Sequence, residues 1–205
     1  MFITFEGIEG SGKSTQARLL SEYLSKNGIK NVLTKEPGEA EIPVCSNIRK
    51  ILLDPKNDIC PKAELFLFLA DRAQHIDRFI IPHLNCGKWV ICDRFTDSTL
   101  AYQGARKVID MSNAEGSILY AEDIQPDLTI LMDLPAEEGL QRALKSNVEF
   151  SGGDRMESEG ISFHKKVRGI FLGLAQENKR FIVVDARKSV ENVHKHIVEI
   201  FKEHI

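Results

Sequence analysis

Apolar residues gather in five short runs: FITFE from Phe2, NVLTK from Asn31, KWVIC from Lys88, LTILMDL from Leu128 and RFIVVD from Arg180. Runs of this length, alternating with longer segments of helical period, predict a parallel sheet whose strands are covered by helices on both faces, an α/β fold of three layers. Between the runs, Leu19, Leu20, Tyr23 and Leu24 recur at helical spacing and stop at Asn27-Gly28, a favourable C-terminal boundary. A second helix is predicted from about Ala63 to Ile80, halted by Pro82. The last helix follows Ser189 as N-cap and carries Val190, Val193, Ile197, Ile200 and Phe201 on one apolar face.

One stretch has neither period. KSNVEFSGGDRMESEG is polar and glycine-containing, and it reads as a mobile flap, a lid over about residues 143–160. No repeat or linker divides the chain, so the 205 residues are expected to form a single domain, 1–205. The net charge of -3 gives no global basic field for nucleic acid or an anionic membrane, and any phosphate ligand needs locally placed cations. With no apolar stretch long enough to cross a bilayer and no signal-like N-terminus, a cytoplasmic protein is expected. Cys45, Cys60, Cys86 and Cys92 lack metal-binding spacing and read as reduced thiols.

The chemistry begins directly after the first strand. Gly7, Gly12, Lys13 and Ser14 fit G-x-x-x-x-G-K-[ST], placed between a strand and an amphipathic helix as that motif requires. Backbone N–H groups of the loop Gly7, Glu9, Gly10, Ser11, Gly12 and the following Lys13, Ser14 and Thr15 would cradle a nucleoside triphosphate. Lys13 would reach its terminal phosphates, and Ser14 would ligate Mg²⁺. Asp93, at the end of KWVIC, is placed to hold Mg²⁺ or its waters, with an N-cap as its alternative role. Glu9 would repel phosphate unless it faces a metal or another ligand, which points beyond simple triphosphate binding.

A second anion site is suggested by Arg49, Arg72 and Arg94, since guanidinium forks suit phosphate oxygens and base carbonyls. Phe68, one helical turn before Arg72, adds a stacking surface. On the segments FITFEGIEGSGKST, KEPG, NIRKILL, LFLFLADRAQH, DRFTDSTLAYQG, PDLTILMDLP and DRME followed by FHKKVR, the chain resembles the bacterial thymidylate kinases, P-loop nucleoside monophosphate kinases, over nearly its whole length. That resemblance implies a P-loop NTPase fold with a mobile lid, ATP and dTMP as substrates, Mg²⁺ and a homodimer. It also implies that Phe68 stacks on thymine, that Arg72 and Gln103 contact the base, and that Arg49 and Arg94 hold the dTMP phosphate. Glu9, Ser98, Thr99 and Tyr102 would line the sugar and phosphate, with Tyr102 near the 2′ position, and Glu36 and Pro37 would wall the acceptor pocket. Arg155 would be the lid's transition-state cation; Arg142, which precedes the flap, could assist it or pair on its own helix. The sequence departs from the family at KEPGEAE, with Lys35 and Glu39 and no Thr, and the flap holds no arginine before Arg155.

A monophosphate acceptor is already ionised and needs no general base, only cations that let two anions approach; Lys13, Arg94 and Arg155 are the catalytic candidates. All six histidines are read as structural or surface residues. Two alternatives remain open at this point. A deoxynucleoside kinase acting on thymidine would need a carboxylate base, for which Glu36 or Asp97 could serve. A nucleotide-dependent switch or ATPase would use the same cradle and would require a water-positioning residue and a partner surface.

Overall fold

The computed structural model describes residues 1–109, 124–146, 155–156 and 159–204. The predicted flap lies largely outside these residues. All five apolar runs form strands: β1 Phe2–Glu6, β2 Asn31–Lys35, β3 Trp89–Asp93, β4 Leu128–Asp133 and β5 Phe181–Asp185. They pair in parallel in the order β2-β3-β1-β4-β5. β3 is displaced by one residue from its predicted run, because Asp93 still pairs with Phe5 and Lys35 in the ladder.

Around the sheet run α1 Lys13–Lys26, α2 Pro43–Leu53, α3 Pro61–His75, α4 Ile81–Asn85, α5 Thr96–Ala105, α6 Ala136–Ser146, α7 Ile161–Glu177 and α8 Val190–His204. The period of two in the strands assigns the faces. Ile3, Phe5, Ile91, Ile130, Met132 and Val184 form one core with Ala17, Leu20 and Leu24 of α1 and Val193, Ile197 and Phe201 of α8. On the opposite face Leu131 and Phe181 pack with Ala101 and Tyr102 of α5 and Val167 and Phe171 of α7. Phe2, Val90 and Cys92 meet Ile76, Ile80 and Phe95 there as well. The even-numbered face of β1 therefore also carries Glu6 toward α5, where its carboxylate accepts from the Phe95 N–H at 2.7 Å.

Two boundaries differ from the pattern-based expectation. Pro82 does not halt the second helix. A π-turn over Ile76–Ile80 joins α3 to α4, with Ile81 N–H donating to Ile76 O, and Pro82 takes an early position in α4 where a missing N–H costs nothing. In α8, Ser189 does accept from Asn192 N–H at 3.3 Å, but Val190 is 47% exposed and lies outside the buried stripe. Cys45 and Cys92 are buried, Cys60 and Cys86 exposed, and all four are free thiols. No helix among the described residues is long and apolar enough to cross a membrane.

Candidate active site

The loop from β1 to α1 closes tightly because Gly10, at φ 68°, lies where a Cβ would stand 2.0 Å from Gly139 O of α6. Gly139 is reciprocally close, its own Cβ position 2.6 Å from Glu9 O. Lys13, the first residue of α1, folds back so that Nζ donates to Ile8 O at 2.8 Å and to Ser11 Oγ at 3.4 Å. Burial, and then the charge of Arg94, push the Lys13 ammonium down to about 8 against the pull of Asp93, Glu9 and Glu6. An ammonium held in this way gains from any phosphate placed beside it. Ser14 Oγ donates to Asp93 Oδ2, while Asp93 Oδ1 is buried without a hydrogen-bond partner.

Arg94 follows β3 with φ 73°, a left-handed conformation uncommon for a side-chain-bearing residue. Its N–H still donates to Phe5 O at 2.9 Å, and its guanidinium turns across the loop. Nη1 donates to Gly7 O and Ser98 Oγ, both at 3.0 Å, and Nη2 pairs with Glu9 Oε1 at 3.0 Å. Tyr102 donates its hydroxyl to the same Glu9 oxygen, and its ring lies 5.1 Å under the guanidinium carbon. His164 Nδ1 stands 3.1 Å from Glu9 Oε2. Burial opposes the charge on Glu9, but Arg94, His164, Lys13 and Tyr102 together hold its carboxyl well below the usual range. The acidic residue in the cradle is thus neutralised by its own surroundings.

A cavity of about 280 Å³ joins this cluster to the arginines of the second site. It is lined by Glu9, Gly10, Lys13, Ser14, Asp93 and Arg94 of the cradle and the end of β3. Ser98, Thr99 and Tyr102 of α5 line it as well, with Glu36 and Pro37 after β2. Arg49, Phe68, Arg72 and Gln103 belong to the same lining. Gly7, Ser11, Gly12, Thr15 and Arg155 are not among its lining residues.

Arg72 is 2% exposed. Its Nε donates to Glu36 Oε2 at 3.0 Å and Nη2 to Thr99 Oγ1 at 2.7 Å, whereas Nη1 is buried with no hydrogen-bond partner. Arg49 Nη1 donates to Pro37 O at 3.0 Å, and its stem lies against Gly38, where a Cβ would fall 2.4 Å from Arg49 Cβ. The KEPGEAE departure has a structural use: Glu39, 7% exposed, accepts from Thr34 Oγ1, which also meets His75 Nε2 at 2.7 Å.

Arg155, expected among the reacting phosphates, is held elsewhere. Its N–H and Nε donate to Leu53 O at 3.2 Å and Leu52 O at 2.8 Å, and Nη2 pairs with Glu64 Oε2. Arg142 donates to Ala186 O at 3.0 Å, beside the loop after β5. Asp97, a candidate base for the alternative acceptor, is bound bidentately by Arg180 at 2.6 and 2.8 Å and does not line the cavity.

Sequence reasoning passed over Glu6 and Glu64 and read His75 and His164 as structural or surface residues. His75 Nδ1 supports Glu36 at 3.0 Å. It lies three residues beyond Arg72 and Glu64 four before Phe68, so the spacing that drew attention to those two also put their neighbours on the same helical face.

A family model described as thymidylate kinase matches residues 5–197. The thymidylate kinase of Carboxydothermus hydrogenoformans is 47% identical over 94% of this chain and 92% of its own length. That of Halothermothrix orenii is 46% identical over 96% and 94%, and that of Geobacter sp. strain M21 is 49% identical over 93% and 86%. Matches of this extent leave little of the sequence unaccounted for, and the chain belongs to the thymidylate kinase family.

Proposed function

We propose that the chain transfers the γ-phosphoryl group of ATP to dTMP, giving dTDP and ADP, as a thymidylate kinase that supplies dTTP synthesis. The observation that carries this reading is one cavity lined both by Lys13 and Ser14 of the phosphate cradle and by Phe68, Arg72 and Gln103. Such a cavity holds donor and acceptor phosphates in one space, where fixing them in line supplies much of the acceleration for a loose phosphoryl transfer. Lys13 follows the transferring group's terminal oxygens, and Arg94, reaching from the strand end, holds the acceptor phosphate beside it with Arg49. Glu9 and Tyr102 keep Arg94 in place and face the sugar; Ser98 and Thr99 close that wall. Phe68 stacks on the base, Arg72 and Gln103 meet its polar edge, and Glu36 and Pro37 support the pocket.

Ser14 and the unpartnered Oδ1 of Asp93 fit Mg²⁺, which takes one or two protein oxygens and otherwise binds phosphate and water. When bound with ATP, Mg²⁺ neutralises charge between the β- and γ-phosphates. Arg155 can act as the lid cation only after leaving Glu64 and the Leu52 and Leu53 carbonyls.

We also assign a cytoplasmic location and a homodimer formed through α2 and α3, where Val44, Ile51 and Phe66 are exposed. A monomeric mass in sedimentation would remove the dimer. The acceptor is tested by ADP release with Mg²⁺ and ATP in the presence of dTMP, thymidine or neither. Stimulation by dTMP alone is expected. Stimulation by thymidine would move the reading to a nucleoside kinase, and turnover indifferent to both would leave an ATPase.

A further inference from the structure

We propose that Glu64 is a positioning residue for base selection: it fixes the Gln103 amide so that its carbonyl oxygen is left for the acceptor base. The pocket then selects a pyrimidine that donates at N3. This rests on the reading of the cavity as a dTMP site and deepens it.

Glu64 sits in the first turn of α3, 1% exposed, and does not line the cavity. Three donors converge on it. Gln103 Nε2 donates to Oε1 at 2.5 Å, Arg106 Nε approaches Oε1 at 3.3 Å, and Arg155 Nη2 pairs with Oε2. With two guanidiniums as its other partners, this carboxylate offers only acceptors, so the NH₂ end of the Gln103 amide must face it. The oxygen end is consequently what Gln103 has left, and Gln103 Oε1 is buried with no hydrogen-bond partner on a residue that lines the cavity.

Arg72 offers the complement. Its Nη1 is a buried donor with no hydrogen-bond partner, its other nitrogens being taken by Glu36 and Thr99. An acceptor from Gln103 and a donor from Arg72 match the edge of thymine or uracil, which donates at N3 and accepts at O4. Cytosine reverses both, accepting at N3 and donating from its 4-amino group. A site with buried polar groups fixed in one pattern rejects the reversed pattern strongly, because each mismatch leaves those groups unpaired. Without Glu64 the Gln103 amide is free to turn and present its NH₂ to a cytosine N3. Selection therefore depends on a carboxylate that touches no base.

The test compares kcat/KM for dTMP and for 5-methyl-dCMP, which keeps the methyl group and alters the hydrogen-bonding edge, by direct competition. The proteins are the wild type, Glu64→Ala, Gln103→Met and the double variant. Glu64→Ala is expected to lower the preference for dTMP at least tenfold. Gln103→Met should lower it comparably, and the double variant should go no further, since both changes remove one interaction. If Glu64→Ala does not fold, Glu64→Met combined with Arg155→Met removes the buried charge together with a partner and takes its place in the cycle. An equal fall for both acceptors in the Glu64 variant would reduce Glu64 to a scaffold residue and overturn the proposal. Effects of Glu64 and Gln103 that multiply would overturn it too. A Gln103→Met protein with unchanged preference would instead locate the failure in the underlying base-site reading, and the proposal would fall with it.

Discussion

At Arg155 a single guanidinium separates two ways of working. Tied to Glu64 and to two carbonyls at the end of α2, it joins the segment that carries Met156, a cavity-lining residue, to the acceptor side of the molecule. Arg155→Ala should therefore raise KM for dTMP and lower stability by about 1–3 kcal/mol, the usual cost of removing one charged partner from a buried carboxylate that keeps Gln103 and Arg106, with kcat changed less than about threefold. Steady-state kinetics and urea unfolding read both quantities. A fall in kcat on the order of 10² to 10⁴ with unchanged KM would instead place the guanidinium on the transferring group. The sequence could nominate Arg155 because arginine is the residue type that such chemistry needs. It could not reveal Glu64 as its partner, since 91 positions of chain separate the two and only the folded contact joins them.

Elements were more legible than contacts. Each apolar run became a strand, the central β1, β3 and β4 because burial on both faces leaves no alternation to misread, and α1 stopped at Asn27-Gly28, where Gly28 takes φ 77°. Pro82 misled for a physical reason: a proline marks a helix end only if the preceding turn is α-helical, and the π-turn over Ile76–Ile80 changes which N–H groups are needed. The approach of α6 to the phosphate loop was likewise hidden, since Gly139 stands within an ordinary amphipathic pattern. That approach carries a prediction of its own. In Gly139→Ala the new Cβ would lie 2.6 Å from Glu9 O and 2.7 Å from Ile8 Cδ1, so α6 must move off the loop. Unfolding free energy should fall by about 1–3 kcal/mol, as for other overpacked sites. KM for ATP should rise more than KM for dTMP, because the displaced helix borders the cradle. Equal effects on the two substrates would show that α6 does not set the shape of the loop.

Over the whole molecule, buried charges set how stability depends on pH. Glu6 is pushed up to about 8 by burial and by the neighbouring Asp97, and Asp71 to about 6 by burial and by Glu36. Each binds its proton more tightly folded than unfolded, so each contributes stability that is complete below the ordinary carboxylate range and is lost as pH rises through the folded value. Glu9 works the other way: its depressed carboxyl contributes stability above the ordinary range that is lost in acid. Lys13, lowered from 10.5 to about 8, holds its proton less tightly folded than unfolded, a disadvantage complete below about 8 and relieved as pH rises toward 10.5. Stability should therefore pass through a maximum near the ordinary carboxylate range, at about pH 4, and decline toward pH 8, above which the loss of the Lys13 proton works to raise it. Glu6 dominates the decline. In the Glu6→Gln protein the side chain keeps an acceptor for the Phe95 N–H and offers Ser98 Oγ a donor, as a protonated carboxyl would. Urea unfolding between pH 5 and 8.5 should then show most of the decline removed, a difference on the order of a few kcal/mol at the alkaline end. An unchanged slope would mean that Glu6 stays ionised in the folded chain, with Arg94 rather than a bound proton compensating its burial.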